Sequence, residues 1–395
     1  MPELRMLMLT PAPVVETSQG YELDSKFLEG MKLQSSMWPG SFDCLMREGA
    51  TEIPFGARPY QPETAGFQLH LISEHEEVRP EHLSGYDLIF CSADDKRNFS
   101  VPDLARSVGA KVATTLEYNL NTRLRIAFLD QDRNAIRRIY TAAKLVLQEF
   151  RRRKFLGKMD AIQANGYPAF EVCKKFDPNT LLFLDNRMTA DLYATPEEMQ
   201  HRRNRLLAGD PLQLVYTGRL EKMKGAHDLV PLALELRSLG VPFMLKIFGT
   251  GSLEGQIDND IAQNNLSENV QRLEPLDFSS ELVPYLRSNC DIYVCCHRQS
   301  DPSCTYIENM GCGLSVVGYG NEMWSDLQKD SRAGWVSPIG QVKKLAAVIA
   351  QIEKSRSDIA HRCELAAAFS KQNSFEALSR ARMQHLEDLA RSDTN

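Results

Sequence analysis

Arg219 and Lys224 lie close together in residues 217–225, T-G-R-L-E-K-M-K-G, directly after the apolar β-type run 212–216. A guanidinium and an ammonium on one strand-to-helix loop can clamp a diphosphate, arginine as a fork and lysine as a point charge. Further on, residues 300–313 read S-D-P-S-C-T-Y-I-E-N-M-G-C-G and sit between the apolar runs 291–296 and 314–317. That pattern predicts a strand, a small polar loop, a short helix opening near Thr305, a glycine stop and another strand. Unpaired N–H groups at a helix start favour anions or sugar hydroxyls, so Ser303, Cys304 and Thr305 are candidate contacts. Glu308 falls one turn into that helix. A phosphate seat with a carboxylate beside it suits a nucleotide sugar. Asp301 reads either as a sugar contact or as a helix cap.

The elements that must carry these groups are strands ending at one edge. Gly218 permits close backbone approach after the run 212–216, and Gly249 and Gly251 punctuate F-G-T-G-S after the run 243–248. Three strand ends of one parallel sheet then converge where open α/β sheets bind ligands.

The order G-R-L-x3-K-G, F-G-x-G, then x7-E-N-M-G-C-G-L resembles the retaining glycosyltransferases of the GT-B fold, in particular the family 4, or "glycosyl transferases group 1", class. The resemblance is strong over 212–320 and weaker over most of the chain. It implies that Arg219 and Lys224 hold the donor diphosphate. It implies that Glu308 holds the nucleotide ribose and that the loop 302–305 meets donor sugar and phosphate through backbone groups. Two positions depart from the family. The first Glu of its E-x7-E motif falls on Ser300, with Asp301 one residue later, and the His common near the acceptor is missing from A-T-T-L-E-Y-N at 113–119. Glu117 occupies or adjoins that place and could accept a proton or orient an acceptor hydroxyl.

A chain of 395 residues suggests two or three domains. With 43% hydrophobic and 25% charged residues it has an ordinary globular composition, and a net charge of −6 speaks against a general nucleic-acid binder. No apolar run approaches the ~18–20 residues of a spanning helix. The N-terminus lacks a basic region before a long apolar core and reads as a first buried strand rather than a secretory signal. The nine cysteines, several in apolar strand contexts, read as reduced, packed thiols. Cys290, Cys295, Cys296, His297 and Cys304 lack the paired spacing of a zinc site, and Asp258-Asn259-Asp260 falls inside a helical stretch, so no metal is expected.

Apolar runs at 6–10, 44–46, 67–72, 88–91, 111–115, 161–164 and 181–184 alternate with helical stretches. That rhythm predicts an α/β chain with parallel sheets covered on both faces. The expected fold is two Rossmann-like domains facing across a cleft: 1–190 on the acceptor side, a linker with a short helix at 191–210, and 211–372 on the donor side. The resemblance implies that a last helix, 373–395, packs back on the first domain. Gly20 marks the acceptor-side loop after the first strand, with Asp24 and Lys26 as neighbours, and Asp94-Asp95 reads either as acceptor lining or as a turn pair.

Residues 133–158 carry nine Lys/Arg and one acid, with Ile136, Ile139, Tyr140, Ala143, Leu147 and Phe150 at helical spacing. Two readings stand. The stripe packs on its own sheet beneath solvated charges, or it meets an anionic membrane, where each basic residue contributes about 1 kcal/mol. The expected activity is transfer of a sugar from a nucleotide diphospho-sugar to a saccharide or lipid-linked acceptor with retention. It needs no cofactor beyond the donor co-substrate, no nucleic acid and no metal. The expected location is cytoplasmic, soluble or peripheral on the inner membrane face. The alternatives are a nucleotide-sugar epimerase of the same fold and a sugar-nucleotide-binding pseudoenzyme.

Overall fold

Parallel strands buried on both faces read as unbroken apolar runs. Leu212–Thr217, Ile292–Cys295 and Ser315–Tyr319 do so, and nearly all of their residues are buried. The structure, a computed structural model, describes residues 3–53, 56–129 and 134–392. It divides into two compact α/β units: Met1–Leu120, Thr141–Phe183 and Glu376–Asn395 form unit 1, and Asn121–Tyr140 with Leu184–Phe375 form unit 2.

Unit 2 is built on a six-stranded sheet in the order Val270–Leu273, Phe243–Phe248, Leu212–Thr217, Ile292–Cys295, Ser315–Tyr319, Gly334–Ser337. Every neighbouring pair in it is parallel. Leu214 stands between Leu245 and Ile292, which fixes the central register. The winding reverses between Leu212–Thr217 and Ile292–Cys295. The crevice beyond the carboxyl ends of those two strands is where such sheets bind ligands.

Unit 1 holds a seven-stranded parallel sheet in the order Leu181–Phe183, Ala161–Asn165, Lys111–Leu116, Leu88–Ser92, Leu4–Leu9, Gly40–Arg47, Gln68–Ile72. Its winding reverses between Leu4–Leu9 and Leu88–Ser92. A small antiparallel sheet, Val14–Thr17, Gly20–Asp24 and Ala57–Pro59, follows the first strand.

All seven apolar runs of the first half and the four of the second form strands. Val270–Leu273 and Gly334–Ser337 were not legible, because V-Q-R-L and G-W-V-S are short and interrupted by polar residues or glycine. Residues 191–210, expected as a linker, sort with unit 2 and contain a 13-residue helix, Pro196–Ala208. Thr195 and Glu198 cap it reciprocally, and Gly209 ends it at φ 85°. Its fully buried Arg202 donates to the carbonyls of Cys290, Arg287 and Cys312, which ties the helix to unit 2. Asn121–Tyr140, expected in the first domain, also sorts with unit 2. There Asn121 bonds Glu322, and the Thr122 hydroxyl donates to the Ser300 carbonyl at 3.5 Å. The last helix, Phe375–Arg391, puts Met383 and Leu386 into the core that contains Met6, Phe90 and Ala113. Lys111 Nζ donates to the Leu389 carbonyl at 2.8 Å.

Candidate functional site

The strand Leu212–Thr217 delivers its loop to the reversal point through close-packed glycines. Gly218 N donates to Phe248 O at 3.1 Å and Leu220 N to Thr250 O at 2.8 Å, so the first two strand-end loops pair with each other. A Cβ at Gly249 (φ 144°) would lie 1.9 Å from Gly218 O, and one at Gly251 (φ 156°) would lie 2.6 Å from Leu220 O. These glycines are required by loop-to-loop packing, a reason the sequence did not disclose. Gly225 seats the loop from the other side: a Cβ there would meet Cys296 O at 1.9 Å.

Lys224 ends a short 3-10 turn, Lys222–Lys224, and is buried. Its Nζ donates to Asp301 Oδ2 at 2.5 Å, with side-chain exposures of only 8% and 11%. Burial opposes the charge of Asp301, but Lys224 and Arg219 hold its carboxyl below the usual range. The other oxygen, Oδ1, is buried without a hydrogen-bond partner and lies 3.8 Å from His297 Nδ1. Both ring nitrogens of His297 are also buried without a partner. Burial first, then Lys224 and Arg219, push its pKa down to about 3, so the ring is neutral at physiological pH. Arg219 is exposed; its charge reaches Asp301 and His297.

The helix Thr305–Gly311 carries Glu308, which is buried. Asn309 Nδ2 donates to Thr217 Oγ1 at 3.0 Å and locks this helix to the end of the central strand. Tyr306 stacks on Trp324 with ring centroids 5.5 Å apart and meets the His297 ring edge-on. Glu308 is held by Arg187, with Nε to Oε1 at 2.8 Å and Nη2 to Oε2 at 3.3 Å. The same guanidinium lies 3.7 Å over the ring of Phe278. Ser303 and Thr305 share a 2.9 Å hydroxyl contact, Tyr293 OH reaches Thr305 Oγ1 at 3.0 Å, and Cys304 Sγ lies 3.6 Å from Asp185.

Lys224, Asp301 and Arg219 thus make one electrostatic cluster. Glu308 makes a second, on the helix opened by the same loop, with Arg187 and Phe278. Ser300, which stands where a glutamate was expected, is buried, and its Oγ accepts from Glu322 N at 3.1 Å. Sequence reading missed Arg187 and Phe278, and weighed His297 only as a zinc ligand. His297 directly follows the run 291–296 at a strand's carboxyl end, a position that could have singled it out. Nothing local marks Arg187, whose partner is 121 residues away.

The acceptor-side candidates lie in unit 1. Gly20 (φ 119°) sits in an exposed hairpin turn, where Thr17 Oγ1 donates to its carbonyl at 2.9 Å. Asp24 caps the helix Ser25–Met37 through Phe27 N. Glu117 N donates to Asp94 Oδ2 at 2.7 Å, and Asn165 reaches Glu117 Oε1 at 3.4 Å. Asp94 in turn pairs with the fully buried Arg152 at 3.3 Å. All nine cysteines are free. Asp258 lies on the helix Glu254–Gln263 and pairs with Arg272 at 2.8 Å. Among the described residues no group of three His, Cys, Asp or Glu is arranged to hold a metal, and no helix is long and apolar enough to cross a membrane.

Residues 197–373 match the family model "Glycosyl transferases group 1", a span that contains Arg219, Lys224, His297, Asp301 and Glu308 but not Arg187. Over that segment, just under half of the chain, the protein is similar to the group 1 glycosyl transferases. Amylovoran biosynthesis glycosyltransferase AmsK of Erwinia amylovora is 27% identical over 161 residues, 38% of this chain and 38% of that protein. The putative colanic acid biosynthesis glycosyltransferase WcaL of Salmonella typhimurium is 25% identical over 162 residues, again 38% of each. The match to the curated relatives therefore covers well under half of their length. Among solved structures, a glycosyltransferase from Rickettsia africae superposes with a TM-score of 0.66 at 13% identity over 100% of both chains. Anabaena HepE in complex with UDP gives 0.62 at 13% identity over 96% of this chain and 98% of that one. At such identities the fold is what is shared: two Rossmann-like α/β units, the GT-B fold.

Proposed function

We propose that the group 1 segment binds a nucleotide diphospho-sugar and that the whole protein transfers the sugar, with retention, to a saccharide or lipid-linked acceptor in polysaccharide or glycoconjugate synthesis. The observation that carries the reading is the buried Lys224–Asp301 pair at the switch point, with Asp301 Oδ1 left unpaired beside it. An ammonium has three donors, and Asp301 takes one, so Lys224 keeps two for a phosphate. A buried acceptor without a partner costs about 1–3 kcal/mol, which a donor-sugar hydroxyl would relieve.

In this reading Arg219 joins Lys224 on the diphosphate. Glu308, oriented by Arg187, accepts from the ribose hydroxyls. As the bond from C1 to the phosphate oxygen breaks, negative charge grows on the departing nucleoside diphosphate, and the two cations stabilise it. The acceptor oxygen attacks from the same face and its proton passes to the departing phosphate. Both carboxylates of the site already have roles in this reading, Asp301 with Lys224 and a sugar hydroxyl and Glu308 with Arg187 and the ribose, so the single-face route is preferred to one with a covalent intermediate. The reading finds support in the group 1 match and in a structural neighbour that holds UDP. The protein would work at the cytoplasmic side.

The test is a panel of nucleotide sugars offered with saccharide and lipid-linked acceptors, following nucleoside diphosphate release and the anomeric configuration of product by NMR. A retained anomeric centre supports the reading. An inverted product, an epimerised donor released without acceptor, or no turnover of any donor contradicts it.

A further inference from the structure

We propose that the outward face of the helix Ala135–Leu156 is a docking surface for an anionic lipid bilayer, on which the helix lies flat with its apolar stripe at the headgroup boundary. The inference stands independently of the transfer reaction. The helix has 22 residues, about 33 Å at 1.5 Å per residue. Its amphipathicity runs opposite to that of an ordinary surface helix. Ile136, Ile139, Tyr140, Leu147 and Phe150 are 79%, 64%, 70%, 69% and 64% exposed. At about 100° per residue these five, with Ala143 and Val146, fill an outward arc of about 120°.

The opposite face is the one that packs, and it is partly ionic. Arg152 is fully buried and bonds Glu149, Asp94 and the Tyr118 carbonyl. Phe155 follows it, its ring 5.4 Å from that of Phe99. The expectation that the stripe packs on its own sheet is therefore overturned, because the hydrogen-bonded Arg152 takes the inward position. Of the ten large apolar side chains exposed among the described residues, six lie on this one helix. Single exposed apolar residues are ordinary, whereas a contiguous row marks an interaction surface.

Charge selects the occupant. Arg137, Lys144 and Arg151 border one side of the stripe, Arg153 the other, and Lys154 closes its end, all exposed. The single acid of the helix, Glu149, is buried against Arg152 and also pairs with Arg153 at 3.5 Å, so none is left on the outward face. Arg133, counted in the basic segment, lies outside the described residues. A second copy of the helix laid against this face would bring cation rows together with no acid to answer them. An apolar stripe edged by cations matches an interfacial helix on anionic lipid, and the helix is too polar to span.

The test is flotation of the full chain with vesicles of phosphatidylcholine alone and of phosphatidylcholine mixed with phosphatidylglycerol. It is run at low salt and at about 0.5 M salt, where the screening length falls to a few ångströms. Capture by the anionic vesicles at low salt, weakened by salt and by omission of phosphatidylglycerol, is expected. Leu147→Glu with Phe150→Glu should cut partitioning at least about tenfold with the melting temperature unchanged. Ile136→Ser with Tyr140→Ser gives the same readout at the other end of the helix should the first pair not fold. No capture by anionic vesicles, or capture that survives both double variants, overturns the proposal. So does a dimer in sedimentation equilibrium that the same variants dissolve in the absence of lipid.

Discussion

Lys224 and Asp301 are a buried ion pair, Nζ to Oδ2 at 2.5 Å, that joins the loop after one switch-point strand to the loop after its neighbour. The lysine is thereby fixed in place with its charge partly answered before any ligand arrives. Removing one member of such a pair leaves a desolvated charge, which costs about 3–5 kcal/mol, whereas replacing both by apolar residues is often near neutral. Loss of activity in a single variant would therefore confuse folding with chemistry.

Lys224→Ala should lower stability by about 3–5 kcal/mol in urea titration, and Lys224→Met with Asp301→Leu should recover most of it. Turnover should fall by orders of magnitude in both. A stable double variant with near-normal turnover would remove Lys224 from the diphosphate site.

Arg219 is exposed, so Arg219→Ala should change stability by no more than about 0.5 kcal/mol. Turnover should nonetheless drop by about 10²-fold or more, as for loss of one charge-stabilising donor. Steady-state kinetics on a protein of unchanged melting temperature checks this.

Arg187 joins the site through Glu308 and Phe278. Arg187→Ala should raise the KM for donor about tenfold or more, with a smaller change in kcat. Arg187→Lys should restore little, because lysine supplies neither the two-pronged contact nor the flat stacking face. Equal losses of kcat and no change in KM would make Arg187 a scaffold residue only.

His297 sets a pH dependence. Its native pKa of about 3 lies below the ordinary 6.5, so between those values the unfolded chain binds the extra proton. Stability should therefore fall as pH drops from about 6.5 towards 3, at up to about 1.4 kcal/mol per pH unit. Asp301 acts in a lower window: its depressed pKa adds stability above the unfolded value of 3.8, and that is lost as pH falls further. Urea titrations of wild type and His297→Phe at pH 7 and pH 5 check the first window. A wild-type loss no larger than that of the variant would contradict the assignment.

Long apolar runs made the sheets legible, and the glycines and cations of residues 217–225 made the strand-end loops legible. The partners of the site residues were not. Arg187 meets Glu308 and Asp301 meets Lys224 only after the chain has folded, and neither pairing has a local periodicity. The helix Ala135–Leu156 shows the same limit from another side. Its apolar spacing was plain, but only the buried Arg152 decides which face turns outward. Gly249 and Gly251 were legible as glycines of a strand-end loop, but their packing against the loop of Gly218 and Leu220 was not.

The most direct test of the diphosphate seat is a thermal-shift titration of the full chain with UDP, GDP, ADP and their common sugar conjugates. A ligand bound by the native state alone stabilises by about 2.7 kcal/mol at a hundred times its Kd. At least one nucleotide should raise the melting temperature of wild type, and the Lys224→Met, Asp301→Leu protein should lose that rise while remaining folded. No shift with any nucleotide, or an equal shift in the double variant, would contradict the account.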